Sequence, residues 1–242
     1  MALTTALVLG AGGGLGKAMV QQFLADPSIS RVVAVSRNGC PADVADARLD
    51  WLVSDYSEQS MTSVVAQLTP SKGTVTRVCL CHGLLHSESV WPEKRLEDIT
   101  ADALHEVFHA NTVVPALWLK HLHSLLKGAL PCAVAVLSAR VGSIGDNRLG
   151  GWYAYRTSKS ALNMMLQTTA VEYSRRVKNV KLISFHPGTT DTALSKPFQA
   201  AVPTDKLFTT EFVAGRLATI MASAEPDGQL AYLDWDNKTI PW

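Results

Sequence analysis

Short apolar, strand-like runs recur along the chain at Ala6–Leu9, Arg31–Val35, Ala47–Val53, Val75–Cys81, Ala133–Leu137, Val180–Phe185 and Leu230–Trp235. Between them lie stretches with helical patterning near Leu15–Ala25, Ser57–Leu68, Ala101–Leu126, Tyr153–Arg176 and Thr210–Ala222. Pro115 falls inside the third of these and is expected to kink or divide it. Several strands are apolar almost throughout, which suits a parallel sheet covered on both faces. The alternation predicts α/β architecture: one domain over residues 1–242, a Rossmann-type doubly wound parallel sheet of about seven strands with helices on both faces. Such folds bind ligands beyond the carboxyl ends of their strands, so motifs placed there are the ones to read for chemistry.

Composition narrows the function classes. The chain is 47% hydrophobic and 18% charged, with a formal net charge of +1. It therefore presents no broad field for nucleic acid or an anionic membrane surface. Its longest apolar runs fall far short of the roughly 20 residues a spanning helix needs. The N-terminal Met1-Ala2-Leu3-Thr4-Thr5 lacks the basic start of a secretory signal, and a cytoplasmic location is the default expectation. Cys40, Cys79, Cys81 and Cys132 form no Cys-x-x-Cys pair. Cys79 and Cys81 share a face of one strand while the adjacent His82 faces away, so neither a metal nor a disulfide is expected. The histidine pairs His82/His86, His105/His109 and His121/His123 read as structural or surface residues.

The first strand runs straight into Gly10-Ala11-Gly12-Gly13-Gly14-Leu15-Gly16, which holds five of the sixteen glycines. Glycine permits positive φ and lets a ligand approach the backbone closely. The free N–H groups of the following helix favour a pyrophosphate. Between a strand and a helix, this turn points to a dinucleotide. There is no Gly-Lys-Ser/Thr ending, which disfavours a nucleotide-hydrolysing loop. The second strand ends in Ser36-Arg37-Asn38, without the Asp or Glu that would hold a ribose 2′-hydroxyl. Arg37 can grip a 2′-phosphate and Ser36 can add a donor, so NADP(H) is expected over NAD(H).

Tyr155 and Lys159 lie four apart on a predicted helix and share a face. A phenol titrates near 10 and is a poor acid at neutral pH, but a neighbouring ammonium draws it downwards. The pair suits protonation of a carbonyl oxygen.

With these motifs in this order, the chain resembles the short-chain dehydrogenase/reductase family over essentially its whole length. Gly10, Gly14 and Gly16 match the family's Gly-x-x-x-Gly-x-Gly turn, with Leu9 in place of its usual threonine. Asp55-Tyr56 stands where the family contacts adenine. Leu80-Cys81-His82-Gly83 occupies the family's Asn-Asn-Ala-Gly position, of which Gly83 alone survives. Asn111 matches the residue that holds a proton-relay water near the lysine. Pro187-Gly188-Thr189-Thr190-Asp191-Thr192 matches the turn that holds the nicotinamide carboxamide. Ser138–Ile144, Gly150–Tyr155 and Trp235–Trp242 look like the sniffer and C-factor-like carbonyl reductase subgroup.

The resemblance implies an oxidoreductase in which Lys159 binds the nicotinamide ribose and lowers the pKa of Tyr155, which donates the proton. It implies contacts to the coenzyme from Gly10, Gly12, Gly14, Leu15, Gly16, Ser36, Arg37, Asp55, Tyr56, Cys81, Gly83, Pro187, Gly188, Thr190 and Thr192. The family's orienting serine would stand three residues before the glycine after the fifth strand, and that place is Ala139. Ser143 or Ser138 could supply the hydroxyl. Ser143, 12 residues before Tyr155, is the preferred candidate, since Ser138 would face the other way on an extended strand. Asp55 is also placed to cap the next helix.

Substrate choice is expected from Leu84–Trp91, Ser143–Trp152 and an apolar lid segment near 189–208, implying an apolar carbonyl or alcohol substrate. A homodimer or homotetramer is expected through the long helices, with Trp118 and Met164-Met165 as contacts. The alternative is an NADP(H)-binding regulatory or signalling protein with little turnover, motivated by the altered Asn-Asn-Ala-Gly position and the missing serine.

Overall fold

A computed structural model describes residues 3–242; Met1 and Ala2, part of the N-terminal stretch without a basic start, lie outside the described residues. In chain order the elements are β1 (Thr5–Leu9), α1 (Gly14–Ala25), β2 (Arg31–Ser36), β3 (Leu49–Val53), α2 (Glu58–Leu68), β4 (Val75–Leu80), α3 (Ala101–Phe108), α4 (Val114–Leu126), β5 (Cys132–Leu137), α5 (Tyr153–Arg176), β6 (Val180–His186), β7 (Thr189–Thr190), β8 (Leu207–Phe208), α6 (Thr210–Ala222) and β9 (Leu230–Asp234). Seven strands form one sheet in the order β3-β2-β1-β4-β5-β6-β9. All neighbours pair in parallel. The chain therefore winds outwards from β1 in both directions. The reversal between β1 and β4 opens a crevice at the carboxyl edge of the sheet.

Every residue of β1 is buried, as expected of a central strand covered above and below. On one face, α2, α4 and α5 pack Met61, Val64, Leu122 and Leu162 against Leu7, Val33 and Leu182. On the other, α1 and α6 pack Val20, Phe23, Leu217 and Met221 against Ala6, Val32 and Ile183. Among the described residues, no helix is long and apolar enough to cross a membrane.

The predicted helix Ala101–Leu126 is broken, but upstream of Pro115. A π-helical turn at His109–Val113 separates α3 from α4, and the proline sits in the first turn of α4, directly after that irregular turn. Trp118 corrects an expectation: it is fully buried beside Tyr56, their rings 6.2 Å apart, and cannot be an oligomer contact as placed. Met164 is well exposed, whereas Met165 packs on the core.

Candidate active site

A cavity of about 580 Å³ lies at the carboxyl edge, lined among others by Gly14, Leu15, Gly16, Cys81, Gly83, Ser138, Tyr155, Lys159, Pro187, Gly188, Thr190 and Thr192. The expected coenzyme turn and the expected reaction centre thus share one space. Gly10, Gly12, Ser36, Arg37, Asp55, Tyr56, Asn111 and Ser143 lie outside its lining.

At the glycine turn the need for glycine is steric. Gly10 has φ +83°, and a Cβ on Gly16 would stand 2.3 Å from the Gly10 carbonyl oxygen. A Cβ on Gly14 would meet Thr192 Cγ2 at 3.0 Å, so this turn and the Pro187-Gly188 segment face each other closely. Gly13 caps α1 without a side-chain bond and the first turn of the helix carries no acid. Its amides are free to receive an anion. At the end of β2, Ser36 is buried with its hydroxyl turned to the Asn38 carbonyl, and Gly12 lies against Ser36 Cβ. Arg37 is exposed, and no ion pair or hydrogen bond engages its guanidinium among the described residues. These residues fit a dinucleotide, and the unengaged cation fits one carrying a 2′-phosphate.

Asp55 does not itself cap α2. It accepts the Ser57 N–H at 2.8 Å, and Ser57 caps the helix by accepting from Ser60 N–H. Tyr56, in the left-handed region at φ 66°, meets the His82 ring edge-on at 4.7 Å.

Tyr155 sits in the first turn of α5. That start is set by three consecutive left-handed residues, Gly150, Gly151 and Trp152. Glu93 holds the turn: its carbonyl accepts the Trp152 N–H at 2.5 Å, and its Oε2 accepts the Ala154 N–H at 3.1 Å. Nothing in the sequence signalled Glu93. The Tyr155 side chain is buried, and among the described residues its hydroxyl makes no protein hydrogen bond while the residue lines the cavity. Lys159 Nζ lies 5.8 Å from the Tyr155 ring centroid and donates to the Leu137 carbonyl at 2.8 Å.

The electrostatics correct one expectation. Burial pushes the Tyr155 phenol up, and nearby Tyr232 adds to this. Burial likewise pushes Lys159 down to about 7. With no carboxylate paired to the lysine, loss of hydration outweighs their mutual influence. In the chain alone, the amine does not make the phenol acidic.

Asn111 stands in the π-helical turn, fully buried. Its Oδ1 accepts the Leu84 N–H at 2.7 Å, while Nδ2 donates to the Leu84 carbonyl and Ser158 Oγ at 2.9 and 3.0 Å. The side chain ties the β4 loop to α5 at the residue before Lys159. The serines divide differently from expectation. Ser143 is buried, accepts the Asp146 N–H and does not reach the cavity. Ser138 lines the cavity, but its hydroxyl donates to Asn163 Oδ1 at 2.8 Å. Neither presents a free hydroxyl beside Tyr155, and Ala139 offers a methyl group. His82, His86 and His186 all line the cavity, which the sequence reading missed.

Leu84, Leu85, Val141, Trp152, Leu194, Phe198 and Val202 make its outer half apolar. Trp152 meets Tyr155 edge-on at 6.2 Å and Phe198 at 5.2 Å, and Phe198 in turn meets His86 at 5.7 Å and Trp91 at 5.8 Å. The 189–208 segment is anchored by the β7–β8 pairing, with short 3-10 turns between.

Residues 4–203 match the family profile of short chain dehydrogenases. The chain is 28% identical over 197 residues to the 1-hydroxy-2-glutathionyl-2-methyl-3-butene dehydrogenase of Rhodococcus sp. (strain AD45), covering 81% of this chain and 82% of that protein. In fold it is similar to carbonyl reductase Sniffer of D. melanogaster, with a TM-score of 0.83, 21% identity and full coverage of both chains. It is equally similar to the NADPH-bound carbonyl reductase from chicken fatty liver, with a TM-score of 0.82, 22% identity and full coverage of both. The shared sheet order, the glycine turn and the match over most of its length make this chain a member of the short-chain dehydrogenase/reductase family.

Proposed function

We propose that the protein is an NADP(H)-dependent oxidoreductase that interconverts an apolar carbonyl compound and its alcohol, with Tyr155 as proton donor and acceptor. The observation that carries this reading is the Tyr155 hydroxyl, free of protein partners, in one cavity with Lys159 and the glycine turn. Bound at this edge, the coenzyme supplies a hydride. Gly10, Gly12, Gly14, Leu15 and Gly16 would hold its phosphates, Ser36 and Arg37 the 2′-phosphate, and Asp55, Tyr56, Cys81 and Gly83 the adenosine end. Pro187, Gly188, Thr190 and Thr192 would hold its carboxamide, and Lys159 the adjoining ribose. The chicken reductase of similar fold is named as NADPH-bound, which agrees with the unengaged Arg37.

Tyr155 gives its proton to the substrate oxygen. The charge then left on the phenolate is offset by Lys159, whose low pKa lets it take up or release a proton near neutrality. Asn111 keeps the β4 loop and α5 in register around that lysine. The apolar wall of Trp152, Phe198 and Leu194 along the cavity favours an aryl-bearing or otherwise apolar carbonyl. The exposed Met164 and Val171 of α5 fit a homodimer or homotetramer, tested by light scattering on the purified chain.

The deciding experiment is NADPH oxidation against a panel of aryl and alkyl aldehydes, ketones and quinones. Turnover with apolar members supports the reading. Tight NADPH binding without turnover on any of them supports instead a coenzyme-binding regulatory protein.

A further inference from the structure

Most hydrogen-bonding atoms around the cavity are already used by the protein. Ser138 donates to Asn163, Thr190 to the Pro187 carbonyl, Thr192 and Ser195 to the Thr190 carbonyl, and Lys159 to the Leu137 carbonyl. His86 Nε2 bonds the Ala193 carbonyl at 3.2 Å. Both ring nitrogens of His82 are sealed inside the protein. His186 differs. Among the described residues its Nδ1 is buried without a partner, while Nε2 is neither buried nor bonded, and the residue lines the cavity.

Its position in the sheet gives that nitrogen a use. Leu137 pairs with Phe185, so His186, the last residue of β6, lies beside Ser138-Ala139 at the end of β5. This is where the family resemblance calls for an orienting hydroxyl and where Ala139 has none. The other candidates lie elsewhere: Cys81 follows β4 beside the glycine turn, Thr189 pairs with Leu207 beyond the Pro-Gly turn, and His86, held by Ala193, stands in the aromatic wall.

We propose that His186 orients the substrate oxygen, its Nε2–H donating the hydrogen bond that a serine at position 139 would give, while Tyr155 delivers the proton. This rests on the carbonyl-reduction reading above. Burial holds the imidazole down to about 4, with Arg140 acting in the same direction and Asp234, across from it on β9, opposing. The ring therefore stays neutral through the ordinary pH range and has one N–H to give, which the proposal assigns to Nε2.

The test uses the full chain with NADPH and the best carbonyl from the panel. His186→Leu is expected to lower kcat by about 10²- to 10³-fold, the usual effect of removing one donor to a developing oxyanion. The NADPH dissociation constant, read by fluorescence titration, should stay within about twofold. A139S placed in the H186L background should return at least about tenfold of the loss. His186→Gln, whose amide nitrogen falls near the Nε2 position, should keep most activity. His186→Asn, which mimics Nδ1, should not. This pair decides the matter even if the leucine variant folds poorly.

The proposal is overturned if H186L turns over within about threefold of the parent, or if H186N outperforms H186Q. It is also overturned if H186L loses NADPH affinity as fully as turnover, or if T189V rather than H186L produces the loss. Failure of the parent to oxidise NADPH with any carbonyl sinks the carbonyl-reduction reading and this one together. A silent H186L in an active parent sinks the histidine assignment alone.

Discussion

At the glycine-turn end, the surface offered to a ligand is mostly main chain: the bare turn at Gly10–Gly16, the uncapped start of α1 and the Pro187-Gly188 turn opposite. At the other end it is side chain, with Trp152, Phe198, Leu194 and Val202 lining the cavity that Tyr155 enters. A backbone surface admits one shape of ligand, because a Cβ added at Gly10 or Gly16 meets main-chain atoms and one at Gly14 meets Thr192. A side-chain wall can be retuned residue by residue. The first end is thus suited to an invariant coenzyme and the second to a substrate of adjustable form. Tyr155 and Lys159 sit where the two meet.

The largest effect should come at that junction. Tyr155→Phe removes the acid and should lower kcat by about 10²- to 10⁴-fold, with NADPH affinity within a few-fold by fluorescence titration. Unchanged turnover would remove the phenol from the mechanism. On the coenzyme side, Arg37→Ala should reduce kcat/KM with NADPH by about 10- to 100-fold, the value of one charge-assisted hydrogen bond, and leave NADH nearly untouched. Equal efficiency of both coenzymes in the parent would end the 2′-phosphate argument.

The backbone surface can be tested against itself. Gly16→Ala puts a methyl group 2.3 Å from a main-chain oxygen and should cost about 1–3 kcal/mol of stability, with coenzyme affinity falling alongside. Gly13→Ala, whose nearest neighbour would be 3.7 Å away, should stay within about 0.5 kcal/mol. Thermal melts of the two variants check the contrast, and equal losses would show that the turn is not sterically bound.

Burial at the junction has its own signature. Lys159 is held at about 7 in the folded chain against 10.5 ordinarily, so between those values the unfolded chain binds the extra proton. Stability of the coenzyme-free protein should therefore rise with pH between about 7 and 9, by at most about 1.4 kcal/mol per unit from this group. Above about pH 9 the buried thiols of Cys79, Cys81 and Cys132 oppose the rise, and from about pH 10 Tyr155 does too, since the unfolded chain then gives up these protons first. Denaturant titrations at several pH values should show this slope in the parent and a flatter one in Lys159→Met.

The sheet, the glycine turn and the Tyr155–Lys159 pair were legible because each is a local pattern: a buried run, a steric requirement within seven residues, one helical turn. What depended on contacts between distant segments was not. Ser143 was favoured for its separation from Tyr155 along the chain, yet the left-handed turn at Gly150–Trp152 makes that count a poor guide to distance. Trp118 was read as an outward contact because periodicity places residues on a face without saying which face meets the sheet. The phenol was expected to be acidic since a sequence displays neighbouring charges but not the loss of water around them. Glu93 and His186 gave no signal at all: one holds backbone of α5, the other is brought to the cavity by the pairing of β6 with β5.

The aromatic wall gives the smallest effect and the sharpest test of the difference between the two ends. Phe198 touches Trp152, Trp91 and His86, and each such pair is worth about 0.5–1.5 kcal/mol beyond its buried area. Phe198→Ala should raise KM for aryl ketones by about three- to tenfold, with little change in KM for small aliphatic aldehydes, which do not reach the wall. NADPH affinity should be unmoved, because this residue comes from the 189–208 segment after its last expected coenzyme contact at Thr192. If the variant instead weakens NADPH and leaves aryl selectivity intact, the segment closes over the coenzyme, and the division between a backbone end and a side-chain end fails.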